Sequence, residues 1–475
     1  MDLLGQKLSE YVLKNMCSFH TPGHKGRKDL LASLIFPDFD LTELPELDML
    51  HNPQGVIAEA QMRAAFIYGA EDTFFLVNGA TSGNQAMFMA LMSGLNGKKV
   101  RVERRAHQSV FGGFVLSGLS PDYVPPLIHP DFRLPLGLNV EHFTEKIEDI
   151  GAIHITSPSY YGTVVDLESI IRFRDREVPS IPILVDQAHG SHYHGALFPA
   201  NAVRQGADLV VHSTHKTLSA LTQAGMLHIK GERVDKLALK KSLEILLTSS
   251  PNYLLMASLE KALADLESPW LWDDLHDEVI HLHEELDGYL RILTAKDAGK
   301  YGIYQVDWSK ILINTSSLEI GAAEVVEILR NSFGIEPELW DHENILFLLG
   351  SGNRPEDIRK LREALKALVK KYLQKSHLKR TIKNNHPPDM NHVDLPPMHL
   401  TPREAWLAPK RIIKLSDALG KISGETISVY PPGIPIVAAG EEITPYVMNY
   451  LNKAEDYNWQ GWQGFRQGQI SVINQ

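Results

Sequence analysis

The chain has 475 residues, which is long enough for about three domains. Its hydrophobic content of 44% is typical of soluble globular proteins. Its 47 basic and 58 acidic side chains give a formal net charge of −11, which argues against a nucleic-acid-binding surface. The single cysteine, Cys17, excludes an intrachain disulfide, and the lack of a signal-peptide pattern or of a run of about 18 apolar residues predicts a cytoplasmic protein.

The first segment of the chain is irregular, and a helix follows it. In residues 19–26, FHTPGHKG, the proline and glycines exclude a helix and crowd two imidazoles and an ammonium into a turn. This turn is either a polar connector or an arm that reaches an active site, of this chain or of a partner subunit. Residues 40–54, which include Asp48, are rich in acids, leucines and prolines and are predicted to be irregular. Apolar residues at helical spacing predict a helix over 57–68.

Small polar residues lie between a strand predicted at residues 73–77 and the next helix. They form the sequence NGATSGN at residues 78–84, and a helical run over 85–92 follows them. Small side chains at a helix N-terminus let backbone N–H groups approach an anion closely. The segment is therefore predicted to bind phosphate. The alternative is a tight turn in which Ser82 is an ordinary N-cap.

Strands predicted at residues 99–102 and 152–156 continue the alternation of strand, loop and helix. His107 follows the first of these strands, where it is either solvated or lies flat on an aromatic cofactor. Repeated strand–loop–helix units predict a mostly parallel sheet covered by helices. Because such folds bind ligands at the carboxyl ends of their strands, we expect the chemistry at that edge.

Two buried strands end on residues that suit a covalently bound cofactor. Residues 181–186, IPILVD, end on Asp186, and residues 207–211 lead into HSTHK, whose last residue is Lys216. Partial burial near other donors lowers the pKa of a lysine and frees its amine to form a Schiff base with pyridoxal phosphate (PLP). An aspartate at a strand end can hold the pyridine nitrogen protonated, or it can cap the next helix. The presence of both residues at strand ends favours the cofactor.

The following region predicts a smaller α/β unit. Strands at residues 310–314 and 345–349 alternate with helices at 322–332 and after Pro355. Before this unit, a long helix is predicted over 275–293. It carries three histidines, but no convergent ligands accompany them, so no metal site is predicted. The three are His276, His281 and His283.

The last part of the chain is polar and rich in proline. Residues 376–400 contain two Pro-Pro pairs and are predicted to be an extended linker. The prolines of residues 429–437 fix a rigid, non-helical path. This end of the chain is either a small packing domain or a wall that closes the substrate cleft, with Glu441 or a neighbour facing it.

Motifs spread over nearly the whole chain resemble those of the PLP-dependent ornithine/lysine/arginine decarboxylases. They are TPGHK at 21–25, Asp186 with AHG at 188–190, STHK at 213–216, SSPNY at 249–253, TPREA at 401–405 and YPPGIP at 430–435. The layout resembles the shorter branch of that family, in which no receiver-like domain precedes the arm. The chain departs from the family pattern where Gln187 replaces a glutamate, Met49 an aspartate and Ala439 a proline.

This resemblance implies an α/β protein with the fold of aspartate aminotransferase, fold type I of the PLP-dependent enzymes. A mostly parallel central sheet, a small α/β domain and a C-terminal α+β domain are expected. The implied divisions are an N-terminal arm (1–60), a PLP-binding large domain (61–290), a small α/β domain (291–375), a linker (376–400) and a C-terminal decarboxylase domain (401–475).

The resemblance also implies roles for individual residues. Lys216 holds the cofactor, Asp186 pairs with its pyridinium nitrogen and His107 stacks on its ring, so these three are the expected catalytic residues. His189 is expected near the ring oxygen. The implied phosphate ligands are Ala80, Thr81, Ser82, Ser213 and His215. Ser249 or Ser250 is expected to reach the phosphate of a neighbouring subunit, which requires a homodimer or a higher homo-oligomer.

The implied reaction is decarboxylation of a basic amino acid, most simply L-arginine to agmatine and CO₂, with lysine and ornithine as alternatives. An aminotransferase or aldolase-type lyase of the same fold, or a non-catalytic relative that binds or regulates, are the rival interpretations. The distal cation of the substrate needs an acid. The candidate substrate-binding residues are Asp48, Glu425, Glu441 and Glu442, together with Arg403.

Overall fold

The computed structural model describes most of the chain between Leu13 and Asn474. The described residues are 13–14, 16–25, 27, 29, 41, 43–44, 47–95, 97–268, 270–373, 395–429, 434–455, 462–463 and 468–474. Most of the predicted linker therefore lies outside the described residues, and so do residues 430–433 of the YPPGIP motif.

A seven-stranded sheet forms the centre of the molecule. Its strands are β1 (Asp72–Leu76), β2 (Lys99–Glu103), β3 (Pro121–Val124), β4 (Ile150–Thr156), β5 (Ile183–Asp186), β6 (Leu209–His212) and β7 (Gly225–Ile229). They lie in the order β1-β7-β6-β5-β4-β2-β3. All neighbours are parallel except β7, which runs antiparallel to both β1 and β6. The predicted mostly parallel sheet is confirmed.

The central strands are short apolar runs because both of their faces are covered. Ile183, Leu184 and Val185 in β5 are fully buried. Complete burial of one such side chain contributes about 1.5–3 kcal/mol. Polar residues follow these runs where the strands end, so functional groups collect at the carboxyl edge of the sheet.

Helices alternate with these strands along the chain. They are α1 (Val56–Tyr68), α2 (Gly79–Ala90), α3 (Gln108–Ser117), α4 (Glu141–Thr144), α5 (Leu167–Glu177), α6 (Ala202–Gln205), α7 (Thr214–Thr217), α8 (Lys236–Leu246), α9 (Tyr253–Leu266) and α10 (Trp270–Leu286). The helix predicted over 275–293 begins earlier and ends at Leu286, because Gly288 adopts a left-handed conformation with φ of 78°. In the described part of the chain, no helix is both long and apolar enough to span a bilayer.

A second, antiparallel sheet follows. It consists of β8 (Arg291–Ile292), β9 (Lys310–Asn314), β10 (Leu339–Trp340) and β11 (Asn344–Leu348), in the order β8-β9-β11-β10. The helices α11 (Ala322–Phe333) and α12 (Pro355–Tyr372) accompany it, and a short 3₁₀ helix spans Ala295–Asp297. Every element predicted for this small unit is present, to within one residue at each predicted boundary.

Among the described residues, two short strand pairs connect distant segments and a third joins neighbouring ones. Cys17–Phe19 pairs in parallel with Ile335–Pro337, which docks the start of the chain beside the small sheet. Thr163–Val164 pairs with Gln305–Val306 and ties the loop after β4 to the segment before β9. The third pair joins Pro126–Ile128 to Pro135–Leu138.

The C-terminal region has its own small core. The strands β12 (Lys410–Lys414) and β16 (Gln469–Ile473) pair, and β13 (Ile427–Val429) lies between β14 (Ile434–Val437) and β15 (Trp462–Gln463). The helices α13 (Pro402–Leu407) and α14 (Pro445–Glu455) and a 3₁₀ turn at Leu415–Asp417 complete it. Its buried apolar residues include Leu415, Ile427, Val437, Val447 and Leu451.

Candidate active site

A cavity of about 480 Å³ lies at the carboxyl edge of the central sheet. Loops that follow β1, β2, β4, β5 and β6 line it, together with Thr21 of the N-terminal turn and Glu338 from the small sheet region. Eight of the predicted site residues are part of the lining: Ala80, Thr81, His107, Asp186, His189, Ser213, His215 and Lys216. The fold therefore gathers these eight residues from the ends of four strands, β1, β2, β5 and β6, as parallel sheets do.

Lys216 lies on α7, a single helical turn that begins just after β6. Its Nζ is 2.9 Å from Nε2 of His189. Burial lowers the pKa of the Lys216 ammonium; the charges of Asp186 and Glu338 oppose this, and that of Lys310 reinforces it. A lowered pKa leaves more of the amine in the neutral form that attacks a carbonyl carbon.

His189 is buried beside this lysine. Burial, and then the positive charges of Lys216 and Lys310, hold the pKa of His189 well below its ordinary value. The ring is therefore neutral at physiological pH. It lies 4.6 Å from the ring of Tyr160, and its Nδ1 is buried without a hydrogen-bond partner among the described residues.

Asp186 ends β5 with its carboxylate fixed by two donors. The Asn84 Nδ2 donates to Oδ2 at 2.8 Å, and the backbone N–H of Ala188 donates to Oδ1 at 3.0 Å. Asn84 also donates to the Ser109 hydroxyl at 2.9 Å, while its own Oδ1 is buried without a partner in the described structure. Asp186 is 2% exposed, so its charge acts in a region with little water.

The first turn of α2 presents backbone groups to the cavity. Gly79 adopts a φ of 76°, and Ala80 and Thr81 line the cavity beside it. The Ser82 side chain does not line the cavity, because its hydroxyl donates to the Gly79 carbonyl at 2.8 Å. This turn therefore offers main-chain donors at a helix N-terminus, where an anion is favoured.

Ser213 and His215 line the cavity at the end of β6. The His215 Nδ1 lies 3.0 Å from the Ala224 carbonyl, so Nδ1 carries the hydrogen. Burial lowers the pKa of His215 to about 4, which keeps the ring neutral. A neutral imidazole with Nδ1 engaged leaves Nε2 as an acceptor. His215 is therefore suited to a protonated oxygen or a bridging water.

His107 is the N-cap of α3 and lines the cavity. Its Nδ1 accepts from the Ser109 backbone N–H at 3.2 Å and lies 2.8 Å from the Ser109 hydroxyl. These contacts fix the orientation of the ring at the cavity surface, while the ring itself stays exposed to the cavity space. A planar side chain held in this way can stack on an aromatic ligand.

The structure places in the cavity residues that the sequence analysis did not identify. Glu338 accepts from the Tyr160 hydroxyl at 2.6 Å and from the Thr21 backbone N–H at 2.7 Å. Arg105 also lines the cavity and donates to the carbonyls of Pro135 and Leu136. Glu338 follows the short strand that pairs with Cys17–Phe19 and stands in no motif, so no local signal separates it from surface acids.

The N-terminal turn reaches the cavity of its own chain. The Gly23 N–H donates to the His215 carbonyl at 2.6 Å, and the Gly352 N–H donates to the Gly23 carbonyl at 3.0 Å. A Cβ on Gly23 would lie 2.6 Å from the Leu218 carbonyl oxygen, so only glycine fits there. Of the two interpretations of this turn, the geometry favours the active-site arm and places it against the Lys216 loop of the same chain.

Asp48 is occupied elsewhere. Its carboxylate accepts from the backbone N–H groups of Gln54, Gly55 and Ile57, among others, and so caps the start of α1. Partial burial raises the pKa of this carboxyl, but these donors outweigh that effect and lower it. Asp48 does not line the cavity of this chain, since its oxygens are needed to satisfy the helix start.

Glu441 is also used structurally. It is 1% exposed and forms a bidentate ion pair with Arg104, with both N–O distances at 2.6 Å. The Ala438 backbone N–H donates to it at 2.7 Å. Because Arg104 also donates to the Pro435 carbonyl at 3.0 Å, this pair joins the C-terminal region to the loop after β2.

The remaining substrate candidates lie outside the cavity as well. Glu442 contacts His399, with 3.1 Å between Oε2 and Nε2. Arg403 donates to the Val115 and Leu116 carbonyls and so satisfies the C-terminal end of α3. Glu425 lines a separate cavity of about 500 Å³ between α3 and the C-terminal sheet.

Ser249 and Ser250 lie on the exposed loop between α8 and α9. Neither lines the cavity of its own chain. A contact with the phosphate bound by a neighbouring subunit therefore stays a prediction. His276, His281 and His283 all lie on α10, and no group of three or more ligating side chains in the described part of the chain is arranged to hold a metal ion.

Comparison with known proteins identifies the family. The model of the Orn/Lys/Arg decarboxylase major domain matches residues 4–300, and that of the C-terminal domain of the same enzymes matches residues 389–468. The chain belongs to the Orn/Lys/Arg decarboxylase family. Membership makes it a carboxy-lyase that acts on an amino acid.

A relative agrees with this family in sequence, and two solved structures share the fold of the chain. An arginine decarboxylase of Bacillus subtilis (strain 168) is 32% identical over 466 residues, which cover 94% of this chain and 92% of the relative. The crystal structure of the Francisella novicida lysine decarboxylase LdcF has a TM-score of 0.78 at 20% identity, with 96% of this chain and 78% of that chain covered. A structure of SPT with bound PLP has a TM-score of 0.57 at 14% identity, with 75% of this chain and 87% of that chain covered.

The cofactor of this family, PLP, suits the cavity. Two residues of its lining, Asn84 and His189, each have one buried polar atom, Oδ1 and Nδ1 respectively, without a partner among the described residues. A half-buried lysine, a buried carboxylate and a helix N-terminus surround the same space. An aldehyde requires an amine, a protonated pyridine nitrogen requires a carboxylate, and a phosphate requires N–H donors. The residues present therefore fit the group.

Proposed function

We propose that this decarboxylase converts L-arginine to agmatine and CO₂. The observation that carries the proposal is the composition of one cavity, whose lining includes Lys216, Asp186 and a second carboxylate, Glu338. The likeness to the Bacillus subtilis relative named arginine decarboxylase, which extends over almost the whole chain, supports arginine as the substrate.

We assign the binding of the cofactor to residues of this cavity. PLP supplies the electron sink for the Cα–carboxylate bond that breaks. Lys216 would hold it covalently through its side-chain nitrogen. Asp186, fixed by Asn84 and the Ala188 N–H, keeps a proton on the ring nitrogen, and this charge stabilises the electrons released. His107 would stack on the ring of PLP.

The phosphate is assigned to the first turn of α2 together with Ser213 and His215. After CO₂ has left, an acid must protonate Cα. Lys216 and His189 are 2.9 Å apart and can pass a proton between them. We therefore assign the delivery of this proton to Lys216 in its ammonium form, with His189 as its partner.

The distal guanidinium of arginine needs an acidic partner, and Glu338 is suited to it. Its two oxygens accept one hydrogen bond each from Tyr160 and Thr21. Each carboxylate oxygen has two lone-pair sites, so Glu338 keeps the capacity to accept a guanidinium in the bidentate geometry. We assign the distal cation to Glu338 in place of the four acids predicted from the sequence.

An assay of CO₂ release tests the proposed substrate. Purified protein loaded with PLP is offered arginine, lysine and ornithine separately, and the products are identified by mass spectrometry. We expect arginine to have the highest kcat/KM and to give agmatine. Faster release from lysine or ornithine would keep the reaction and overturn the substrate. No CO₂ from any of the three would contradict the proposal.

Replacing Glu338 with Gln should lower kcat/KM for arginine by about 10- to 100-fold, since a hydrogen bond to a charged group contributes about 1.5–3 kcal/mol. The contact between Glu338 and the guanidinium is the same in the bound substrate and in the transition state, so we expect the substitution to change mainly KM. Steady-state kinetics with arginine measure it.

Glu336→Gln is the matched control for this substitution. Glu336 lies two positions earlier and pairs with Arg330, and it does not line the cavity. We expect its kinetics to stay close to those of the wild type. Equal effects of the two substitutions would show that Glu338 has no special contact with the substrate.

We further propose that the enzyme works in the cytoplasm as a homodimer or higher homo-oligomer with a shared active site. Met62 and Phe66 on α1 support this, because they are 63% and 84% exposed and form an apolar surface that a second copy would cover. The position of Ser249 and Ser250 outside their own cavity is consistent with a role in a neighbouring subunit.

A further inference from the structure

A buried lysine lies directly beneath the loop that carries His189. Lys310 is the first residue of β9, and its side chain has no exposed surface. Its Nζ donates to Asp307 Oδ2 at 2.6 Å, to the His189 carbonyl at 2.8 Å and to the Ser309 hydroxyl at 3.2 Å. One of the three acceptors of this ammonium is therefore the main chain of the residue that contacts Lys216.

Asp307, the ion-pair partner of Lys310, holds the same loop. The Tyr193 hydroxyl donates to Asp307 Oδ2 at 3.2 Å, and His192 Nε2 lies 3.3 Å from the same oxygen. Asp307 and His192 are fully buried, and Tyr193 is 2% exposed. The Lys310–Asp307 ion pair thus connects the small sheet to the cavity loop 189–193. Lys310 contacts His189, and Asp307 contacts His192 and Tyr193.

The stem of Lys310 also packs under a second cavity loop. Gly162, with φ of 87°, closes the turn after β4, and a Cβ built on it would lie 2.9 Å from the Lys310 Cβ. The Asp307 backbone N–H donates to the Gly162 carbonyl at 2.8 Å. This turn carries Tyr160, the hydroxyl donor to Glu338. Lys310 and Asp307 therefore support the two loops that bring His189 and Tyr160 to the cavity.

The ammonium of Lys310 also acts through its charge. It contributes to the low pKa of Lys216 and to that of His189, although burial is the largest cause in both cases. Burying a charged pair costs desolvation free energy that an apolar pair would not. A charged pair at this place, with an acceptor on the catalytic loop, points to a role in the site beyond packing.

We propose that Lys310 is a positioning residue whose ammonium, paired with Asp307, fixes the His189 loop against Lys216. It touches neither substrate nor cofactor. The inference rests on the proposed attachment of the cofactor to Lys216, and wild-type holoenzyme is therefore the reference in every measurement.

The test is Lys310→Met in the holoenzyme. The visible absorbance of the cofactor bound to Lys216 is followed as a function of pH, together with kcat and KM for arginine. Loss of a nearby positive charge favours the protonated form, so the midpoint should rise by about 0.5 to 1 pH unit. Because His189 loses its support, kcat should fall by about tenfold while KM changes less than about twofold.

Two further variants separate charge from packing. In Lys310→Met/Asp307→Asn both charges are absent, so the midpoint should return toward that of the wild type while kcat stays low. Arg174→Met is the matched control, because Arg174 forms another buried pair, at 2.7 Å from Asp208, before β6 and outside the cavity lining. It should lower the stability without moving the midpoint.

The outcomes distinguish this inference from the proposed function. A wild-type holoenzyme with no visible band from a lysine-bound cofactor would overturn the role of Lys216 itself. With that band present, an unchanged midpoint and kcat in Lys310→Met would overturn the role of Lys310 alone. If Lys310→Met does not fold, the double variant Lys310→Met/Asp307→Asn replaces it as the test, because it leaves no unpaired buried charge. A kcat equal to that of the wild type in the double variant would contradict the proposal.

Discussion

Replacing Lys216 with Ala is expected to abolish steady turnover, with a loss in kcat of at least about 1,000-fold. In the proposed function the lysine amine holds the cofactor and releases the product, and a methyl group could do neither. The fold should persist, because the Lys216 side chain makes a single hydrogen bond, to His189, in the described structure. CO₂ release and the visible absorbance of the holoenzyme measure both effects.

Lys230→Ala is the control for this change. Lys230 follows β7, at the opposite end of the sheet, and its Nζ donates to the Val203 carbonyl at 3.1 Å. Its loss should leave turnover and absorbance close to those of the wild type. Turnover near the wild-type rate in Lys216→Ala would contradict the assignment of Lys216 as the residue that holds the cofactor, whatever the control shows.

Glu441→Ala should lower the free energy of unfolding by about 3–5 kcal/mol, since it leaves the buried guanidinium of Arg104 without its counter-ion. Both partners of this pair are almost fully buried, at 0% and 1% side-chain exposure, so water cannot replace the lost carboxylate. Urea denaturation measures the loss. We expect the C-terminal region to open first, because the pair joins it to the loop after β2.

The neighbouring acid provides a matched control. Glu442 is 34% exposed, and its pair with His399 is open to solvent, so Glu442→Ala should change the stability by less than about 1 kcal/mol. Equal losses in the two variants would contradict the structural role of Glu441. A large increase in KM in Glu441→Ala without a loss of stability would instead support Glu441 as a substrate-binding residue.

Several features of this protein follow from its sequence alone. The apolar runs of β5 and β6 predict buried strands, and Asp186 and Lys216 stand at or just after their ends. The small residues after β1 predict the helix N-terminus that lines the cavity. These features are local, because the neighbouring residues in the sequence determine where a strand ends and so how far a given residue lies from that end. A parallel sheet then brings such ends together.

Only the tertiary structure determines which groups pair with the acidic side chains that were candidates for substrate binding. Glu441 pairs with Arg104, 337 positions away, and Asp48 is used by the start of α1, so neither faces the cavity of this chain. Glu338 stands in no motif, yet it meets Thr21, 317 positions away, at the cavity. A carboxylate binds whatever donors the fold brings within about 3 Å of it. The residues beside it in the chain do not determine those donors. For this reason the sequence predicts which strand ends meet at the cavity better than it predicts the partners of the acids.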